Sequence, residues 1–304
     1  MTMKNKPYRL GVDLGGTKTE GMILDPDDRV LLRKRKPTPR NGSGHGYEMV
    51  LDNVCDLIRE LQQAIPDGAD CTIGIGTPGS LDPATGLLQN SNTLCLNRMP
   101  LKKDIEDRIG RPVGMQNDAN CFTLAESIQG AGKDFRVVFG IIMGTGCGGG
   151  ISIDGKILQG AHGIAGEWGH VSIDPDGVDC YCGNRGCIET KISGGGVEKA
   201  FAARFGRRLH MEQITAGFRS GDDACAEIFM QFLNDFGRAT GGLISVLDPD
   251  AVVIGGGLSN IDELYTEGVE FIRQYAFHPN IHTPILKNKL GDSAGVIGAA
   301  WIGV

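Results

Sequence analysis

The feature that most constrains this chain is an imperfect internal repeat. Residues 9–25 read Arg-Leu-Gly-Val-Asp-Leu-Gly-Gly-Thr-Lys-Thr-Glu-Gly-Met-Ile-Leu-Asp, and residues 138–154 read Val-Phe-Gly-Ile-Ile-Met-Gly-Thr-Gly-Cys-Gly-Gly-Gly-Ile-Ser-Ile-Asp. Gly11 aligns with Gly140, Gly15 with Gly144, and Asp25 with Asp154. Each copy is an apolar run, a glycine-rich turn, a second run, and a closing turn at Asp25-Pro26 or Asp154-Gly155, the pattern of a β-hairpin. Two such hairpins, one opening each half, imply duplicated α/β domains facing each other.

The intervening segments fit that reading. Tyr47–Ile65 places Val50, Val54, Leu57, Ile58 and Leu61 on one helical face. Cys71–Gly76 reads as a strand before a turn at Pro78-Gly79, and Lys102–Ile109 as a short helix stopped before Pro112. A helix follows over Asp118–Gln129, with Asp118 placed to cap it. Asp222–Leu247 is helical with an expected interruption at Gly241-Gly242. Ala251–Ile254 is a strand running into Gly255-Gly256-Gly257, a helix begins near Ile261, and Ala294–Trp301 closes the chain. The 304 residues are enough for two domains. We expect a smaller N-terminal α/β domain over 1–117, joined by the C-terminal helix 292–304, and a larger one over 118–291.

Bulk properties exclude several functions. A net charge of −7 gives no electrostatic footprint for nucleic acid. The basic run Arg33-Lys34-Arg35-Lys36 reads as the solvated face of a strand, with a binding patch as the alternative. Met1–Leu10 lacks the apolar core of a signal peptide. No apolar stretch approaches a membrane span; Val137–Met143 is at most a buried strand. Cys55, Cys71, Cys95, Cys121, Cys147 and Cys225 are scattered among apolar neighbours, as core thiols in a reducing, cytoplasmic compartment would be.

The remaining cysteines are different. Cys180, Cys182 and Cys187 fall within eight residues, separated by the turn residues Gly183 and Gly186, with His170 just upstream. Three thiolates and an imidazole can close a tetrahedron around Zn²⁺, and with no open position the metal is structural. The alternative is a disulfide pair, although Cys-x-Cys is too close to bridge easily. Glu167 and Glu189 flank the cluster, so zinc would hold two carboxylates in place.

The glycine turns carry the next signal. Asp13-Leu14-Gly15-Gly16-Thr17-Lys18-Thr19 nearly mimics a P-loop but has Thr17 where glycine is needed, and a strand rather than a helix follows. It still offers unshielded backbone N–H groups, a hydroxyl and an ammonium, all suited to phosphate oxygens. Asp13, at the strand end, can hold Mg²⁺ directly or through water. The alternative is a plain hairpin turn; a second glycine turn at Gly144-Thr145-Gly146 favours two tips gripping one polyphosphate. Gly-x-Gly-x-x-Gly occurs at Gly74–Gly79 and Gly144–Gly149, but neither copy opens a helix, which excludes dinucleotide binding. Asn117-Asp118 stands where a strand ends and a helix starts. Asp118 there can act as general base while Asn117 anchors a substrate, or it can be an ordinary cap. Gly255–Gly257 either admits a flat ring such as adenine or only makes a turn.

Together these motifs resemble the ROK family (repressors, open reading frames and sugar kinases) of the actin and hexokinase superfamily. The resemblance rests on Asp13–Lys18, Asn117–Asn120, Gly144–Gly150, Gly166-Glu167-Trp168-Gly169-His170, Cys180–Gly183 with Gly186–Glu189, and Gly255–Gly257. It implies two ribonuclease-H-like domains flanking a cleft, and ATP-dependent phosphorylation of a hexose at its 6-hydroxyl. It places Asp118 as the base, with Asn117, Glu167, His170, Glu189 and Gly79 on the sugar. His170 would give one ring nitrogen to zinc and the other to the sugar. Asp13, Gly15, Gly16, Thr17 and Lys18 would meet the ATP phosphates and Mg²⁺, with Gly144, Thr145, Gly146, Gly148 and Gly149 opposite and Gly255 and Gly256 bordering the adenosine.

Within the family, Pro37-Thr38-Pro39-Arg40, Thr77-Pro78-Gly79-Ser80, Gly166–His170 and Leu247-Asp248-Pro249-Asp250 look most like fructokinase and mannokinase members. Glucokinase and N-acetylglucosamine kinase are the alternatives in the same family, and a non-catalytic sugar sensor the alternative outside it. Asp118 argues against the sensor. Asp13 also comes too early to leave room for the helix-turn-helix of the family's regulators. A zinc-ribbon nucleic-acid module conflicts with the single cluster and acidic charge. A homodimer is typical of such relatives.

Overall fold

The computed structural model describes residues 6–39 and 46–304; Arg40 of the Pro37–Arg40 phrase lies outside them. Two compact units are present. One comprises the described residues up to Ala125 with Ile157–Ala165 and Asp292–Val304, the other Glu126–Lys156 and Gly166–Gly291.

In chain order the strands and helices begin β1 (Tyr8–Leu14), β2 (Lys18–Leu24), β3 (Val30–Pro37), α1 (Tyr47–Gln62), β4 (Cys71–Thr77), β5 (Ser80–Leu81), β6 (Leu88–Gln89), α2 (Leu101–Ile109), β7 (Gly114–Asn117) and α3 (Asp118–Ile128). They continue β8 (Val137–Met143), β9 (Cys147–Ile153), β10 (Lys156–Ile157), α4 (Ile188–Ile192), α5 (Gly194–Phe205), α6 (Met211–Ser220) and α7 (Asp223–Leu247). The chain ends β11 (Ala251–Gly255), α8 (Glu267–Tyr275), β12 (Ile285–Lys287) and α9 (Ala294–Trp301).

The repeat read from the sequence is a repeat of sheets. One five-stranded sheet has the order β3-β2-β1-β4-β7 and the other β10-β9-β8-β11-β12. In each, the hairpin strands (β1 with β2, β8 with β9) pair antiparallel, and the strands that follow on the far side pair parallel. The α/β expectation therefore holds.

In the first unit, Leu10, Val12 and Leu14 of β1 alternate onto the face covered by α1, and all are essentially buried with Val54, Leu57 and Leu61. Burying each such side chain contributes about 1.5–3 kcal/mol. The opposite face is a row of glycines in register, Gly11 beside Gly74 and Gly74 beside Gly114. A Cβ there would stand 2.3 Å from the Val296 carbonyl oxygen, 1.9 Å from that of Ala299, and 1.9 Å from that of Ile302, respectively. Glycine lets α9 and the residue after it lie directly on the sheet. The basic run of β3 is neutralised within this unit: Arg33 and Arg35 converge on buried Glu20, and Lys34 and Lys36 on Glu60 of α1. Period-two alternation sends the arginines to one face and the lysines to the other.

In the second unit, Phe139, Phe201, Phe229, Phe232 and Phe236 anchor a core between the sheet and helices α5 to α8. The expected break at Gly241-Gly242 does not occur; α7 runs unbroken for 25 residues. Gly237 and Gly241, four apart and so on one face, are the approach points of α8. A Cβ on Gly237 would come within 2.2 Å of Phe271 Cβ, and one on Gly241 within 2.9 Å of Tyr275 Cβ. The helix expected near Ile261 starts only at Glu267, after two short 3₁₀ turns at Gly257–Asn260 and Asp262–Tyr265. All nine cysteines are free thiols. Among the described residues no helix is long and apolar enough to cross a membrane.

Candidate active site and metal centre

In the second unit, His170 ends a 3₁₀ turn (Trp168–His170), and the chain then folds back through bridges Ser172–Cys187 and Asp179–Arg185. Gly186 turns this loop with φ 59°, and a Cβ on it would lie 1.6 Å from the Asp174 carbonyl oxygen. No side chain fits there. The loop brings ligand atoms of His170, Cys180, Cys182 and Cys187 within 4.8 Å of one another. Cys182 Sγ and Cys187 Sγ are 3.6 Å apart, and Cys180 Sγ is 3.7 Å from His170 Nδ1. Two sulfurs about 2.3 Å from a tetrahedral zinc lie about 3.8 Å apart, whereas a disulfide needs about 2.05 Å. The donor set and its spacing fit zinc and do not fit a disulfide.

The neighbours of this centre are tied to the second glycine hairpin. Glu189, in the first turn of α4, accepts the backbone N–H of Cys147 through Oε2 at 2.9 Å. Trp168 packs edge-on against Phe139, and its Nε1 donates to the Gly148 carbonyl at 3.4 Å. A Cβ on Gly149 would be 2.6 Å from Trp168 Cδ1, so Gly148 and Gly149, expected at the nucleotide, seat the Trp168 turn. Gly144 differs: a Cβ there would meet nothing within 4 Å. Thr145 and Gly146 are exposed at the tip. His170 Nε2, expected to face a sugar, lies 3.1 Å from the Tyr181 hydroxyl.

Two features here were missed from the sequence. Ser193-Gly194-Gly195-Gly196 opens α5, with Ser193 Oγ capping the Gly196 N–H at 3.0 Å. The Gly194 N–H donates to the Gly144 carbonyl at 2.8 Å, fastening the helix start beneath the hairpin tip. A serine followed by three glycines was the available signal. The second feature is a cavity of about 500 Å³ between α6 and the turn after β11, lined by Met211, Thr215, Arg219, Gly257, Leu258 and Ile261. That is the size of a small-molecule site. Gly255 is buried at the strand end, and Gly256 takes φ 78° against the Met143 backbone; neither lines the cavity. Gly257 does, and a Cβ on it would meet nothing within 4 Å.

In the first unit, the β1–β2 turn closes with the Gly15 N–H donating to the Lys18 carbonyl at 3.0 Å, and Thr38 Oγ1 donates to the Gly15 carbonyl at 2.6 Å. Thr17 and Lys18 are exposed. Asp13 sits at the end of β1, and burial, then the charges of Asp118 and Glu20, push its carboxyl up to about 7 against the pull of Lys18 and Arg35. A carboxylate so disfavoured gains from a cation, which fits Mg²⁺ there.

Asp118 begins α3, but the cap is Asn117. Its Oδ1 accepts the N–H of Ala119 at 2.8 Å and of Asn120 at 3.3 Å. Asp118 Oδ1 shares the Ala119 N–H at 2.8 Å, but only Asn117 also reaches Asn120, so the expectation that Asp118 is the cap is corrected in favour of the residue outside the first helical turn. Asp118 is exposed, yet the protein crowded around it raises its carboxyl above the usual range, partly offset by the Ala119 N–H. Gly79 turns with φ 85°, and a Cβ on it would lie 2.4 Å from the Gln89 carbonyl oxygen, so backbone conformation already requires glycine.

The model of the ROK family matches residues 9–303. The N-acetyl-D-glucosamine kinase of Pectobacterium atrosepticum is 36% identical, covering 96% of this chain and 97% of its own. Among solved structures, a ROK hexokinase from Thermus thermophilus superposes with TM-score 0.86 at 31% identity, covering 97% of each chain. A ROK family glucokinase from Streptomyces griseus in complex with glucose and AMPPNP gives 0.78 at 30%, covering 97% of this chain and 99% of that one.

Proposed function

This chain belongs to the ROK family, as one of its sugar kinases, and from that premise we propose that it transfers the γ-phosphoryl group of ATP to the 6-hydroxyl of N-acetyl-D-glucosamine. The observation that carries the choice of sugar is the chain-long similarity to a relative named for that activity. It favours the amino sugar over the fructokinase or mannokinase type to which short phrases such as Thr77–Ser80 point.

The residues support the chemistry as follows. Asp118 accepts the 6-hydroxyl proton as the sugar oxygen bonds to the γ-phosphorus and the β–γ bridging oxygen leaves with ADP. Its raised carboxyl brings a general base closer to working pH. Asn117, whose Oδ1 is held by the α3 N–H groups, is fixed beside it. Glu167, His170 and Glu189 hold the remaining polar groups of the sugar, and a zinc ion on His170, Cys180, Cys182 and Cys187 would fix that corner. The Gly15–Lys18 and Gly144–Gly146 turns meet the phosphates, with the exposed Lys18 ammonium on the first and the exposed Thr145 hydroxyl on the second as donors. The cavity beside Gly257 takes the adenosine, with Met211 and Leu258 against the flat base. Asp13 would hold Mg²⁺, which when bound would neutralise phosphate charge.

One coupled assay tests this: N-acetyl-D-glucosamine, glucose, mannose and fructose compared by kcat/KM at saturating ATP. The amino sugar is expected to lead by at least tenfold. A lead by fructose would restore the fructokinase reading, and turnover of none would remove the kinase.

A further inference from the structure

Tyr181 stands between two of the metal ligands, Cys180 and Cys182, and is 73% exposed. Its hydroxyl lies 3.1 Å from His170 Nε2, and its ring meets the imidazole edge-on, with centroids 5.1 Å apart at 86°. Both contacts are to the same histidine. The other ring nitrogen, Nδ1, faces Cys180 Sγ at 3.7 Å and is the one on the metal side. A neutral imidazole bound to metal through Nδ1 carries its proton on Nε2, and that N–H needs an acceptor to hold the ring in place. With a metal on Nδ1, the Tyr181 oxygen at 3.1 Å would be that acceptor.

We propose that the Tyr181 hydroxyl holds the place of a sugar oxygen on His170 Nε2 while the site is empty, orienting the imidazole for its metal, and yields that N–H when the sugar binds. Nε2 has one proton, so a sugar oxygen and the tyrosine oxygen compete for it. The ring is mostly in water, so turning it aside breaks little packing. The sugar then replaces one acceptor by another, and the imidazole is never left without a partner. Tyr181 is thus a positioning residue for the metal centre rather than a catalytic one. The exchange with sugar rests on the function proposed above; the support of the metal does not.

The test follows release of zinc from the zinc-loaded full chain to a chromogenic chelator. It compares wild type, Tyr181→Phe and Tyr181→Ala, each without sugar and with a saturating hexose chosen from the panel. Phenylalanine keeps the edge-on ring and removes the oxygen. Release from Tyr181→Phe without sugar is expected to be about tenfold faster, the low end of what losing such an outer partner does to metal affinity. Sugar is expected to bring it back to the wild-type rate. Calorimetric Kd for the sugar should stay equal or fall by up to about tenfold, since no competing hydrogen bond need be broken. Wild-type release from Tyr181→Phe would overturn the proposal, and so would loss of metal confined to Tyr181→Ala. A weaker sugar Kd in Tyr181→Phe would also overturn it, because the tyrosine would then touch the sugar rather than give way. If no hexose binds, the functional reading falls, while the sugar-free comparison still decides the role of Tyr181.

Discussion

The Glu189 carboxylate accepts the backbone N–H of Cys147 at 2.9 Å, joining the helix after the metal loop to the glycine hairpin β8–β9. One side chain thereby couples the helix after the metal loop to a turn proposed to meet phosphate. A charge-assisted bond of this kind contributes more than a neutral one.

Glu189→Ala leaves the Cys147 N–H without its acceptor and should lower stability by about 1–3 kcal/mol. It should also raise KM for both sugar and ATP. Glu189→Gln keeps an oxygen in place and should recover most of the stability but not the sugar affinity. Urea denaturation with steady-state kinetics checks both; an effect on sugar KM alone would show that the two sites are not joined through this residue.

Asp118→Asn removes the base and leaves Asn117 to cap α3, so the fold should persist. The expected loss in kcat is about 10²–10⁴-fold with sugar binding still measurable by calorimetry. Full turnover in this variant would remove the assignment.

Cys182→Ser should abolish zinc binding, read by elemental analysis, and weaken sugar affinity, because Glu167, His170 and Glu189 lose their rigid corner. Metal-free protein that binds sugar as tightly as wild type would separate the centre from the site.

Asp13 gives a pH signature. Folded, its carboxyl keeps a proton up to about pH 7, whereas an unfolded aspartate loses it near about pH 4. Between those values the folded state binds more protons, so this group's contribution to stability falls as pH rises from about 4 to about 7. Without divalent cation, Asp13→Asn should flatten that part of the Tm–pH curve and raise Tm at pH 7. An unchanged slope would show that Asp13 is not perturbed.

Much of this was legible because it is encoded at short range. The apolar-glycine-apolar pattern at 9–25 and 138–154 specifies hairpins wherever it stands, and their recurrence pointed to two like sheets. The ligands His170, Cys180, Cys182 and Cys187 could be named because loop closure over so few residues restricts where thiolates can go. Glycine was the ambiguous letter. Gly241-Gly242 read as a break, but Gly241 is an approach point for α8, and the row Gly11, Gly74, Gly114 gave no sign of α9 lying on it. A missing Cβ either loosens a backbone or admits another one, and only the neighbour decides which. Sugar preference was poorly legible for a related reason: phrases such as Thr77-Pro78-Gly79-Ser80 include residues required by the turn, here Gly79, which says nothing about a ligand.

From its sequence alone the protein had its α/β class, its duplicated hairpins and the donor cluster of His170, Cys180, Cys182 and Cys187, all set by periodicity and spacing within a few residues. Tertiary structure decided that Asn117 caps α3, that Glu189 reaches Cys147 and that Tyr181 covers His170 Nε2. These depend on where a side chain points once the backbone has turned, and hydrogen bonds are too directional for residue order to settle that.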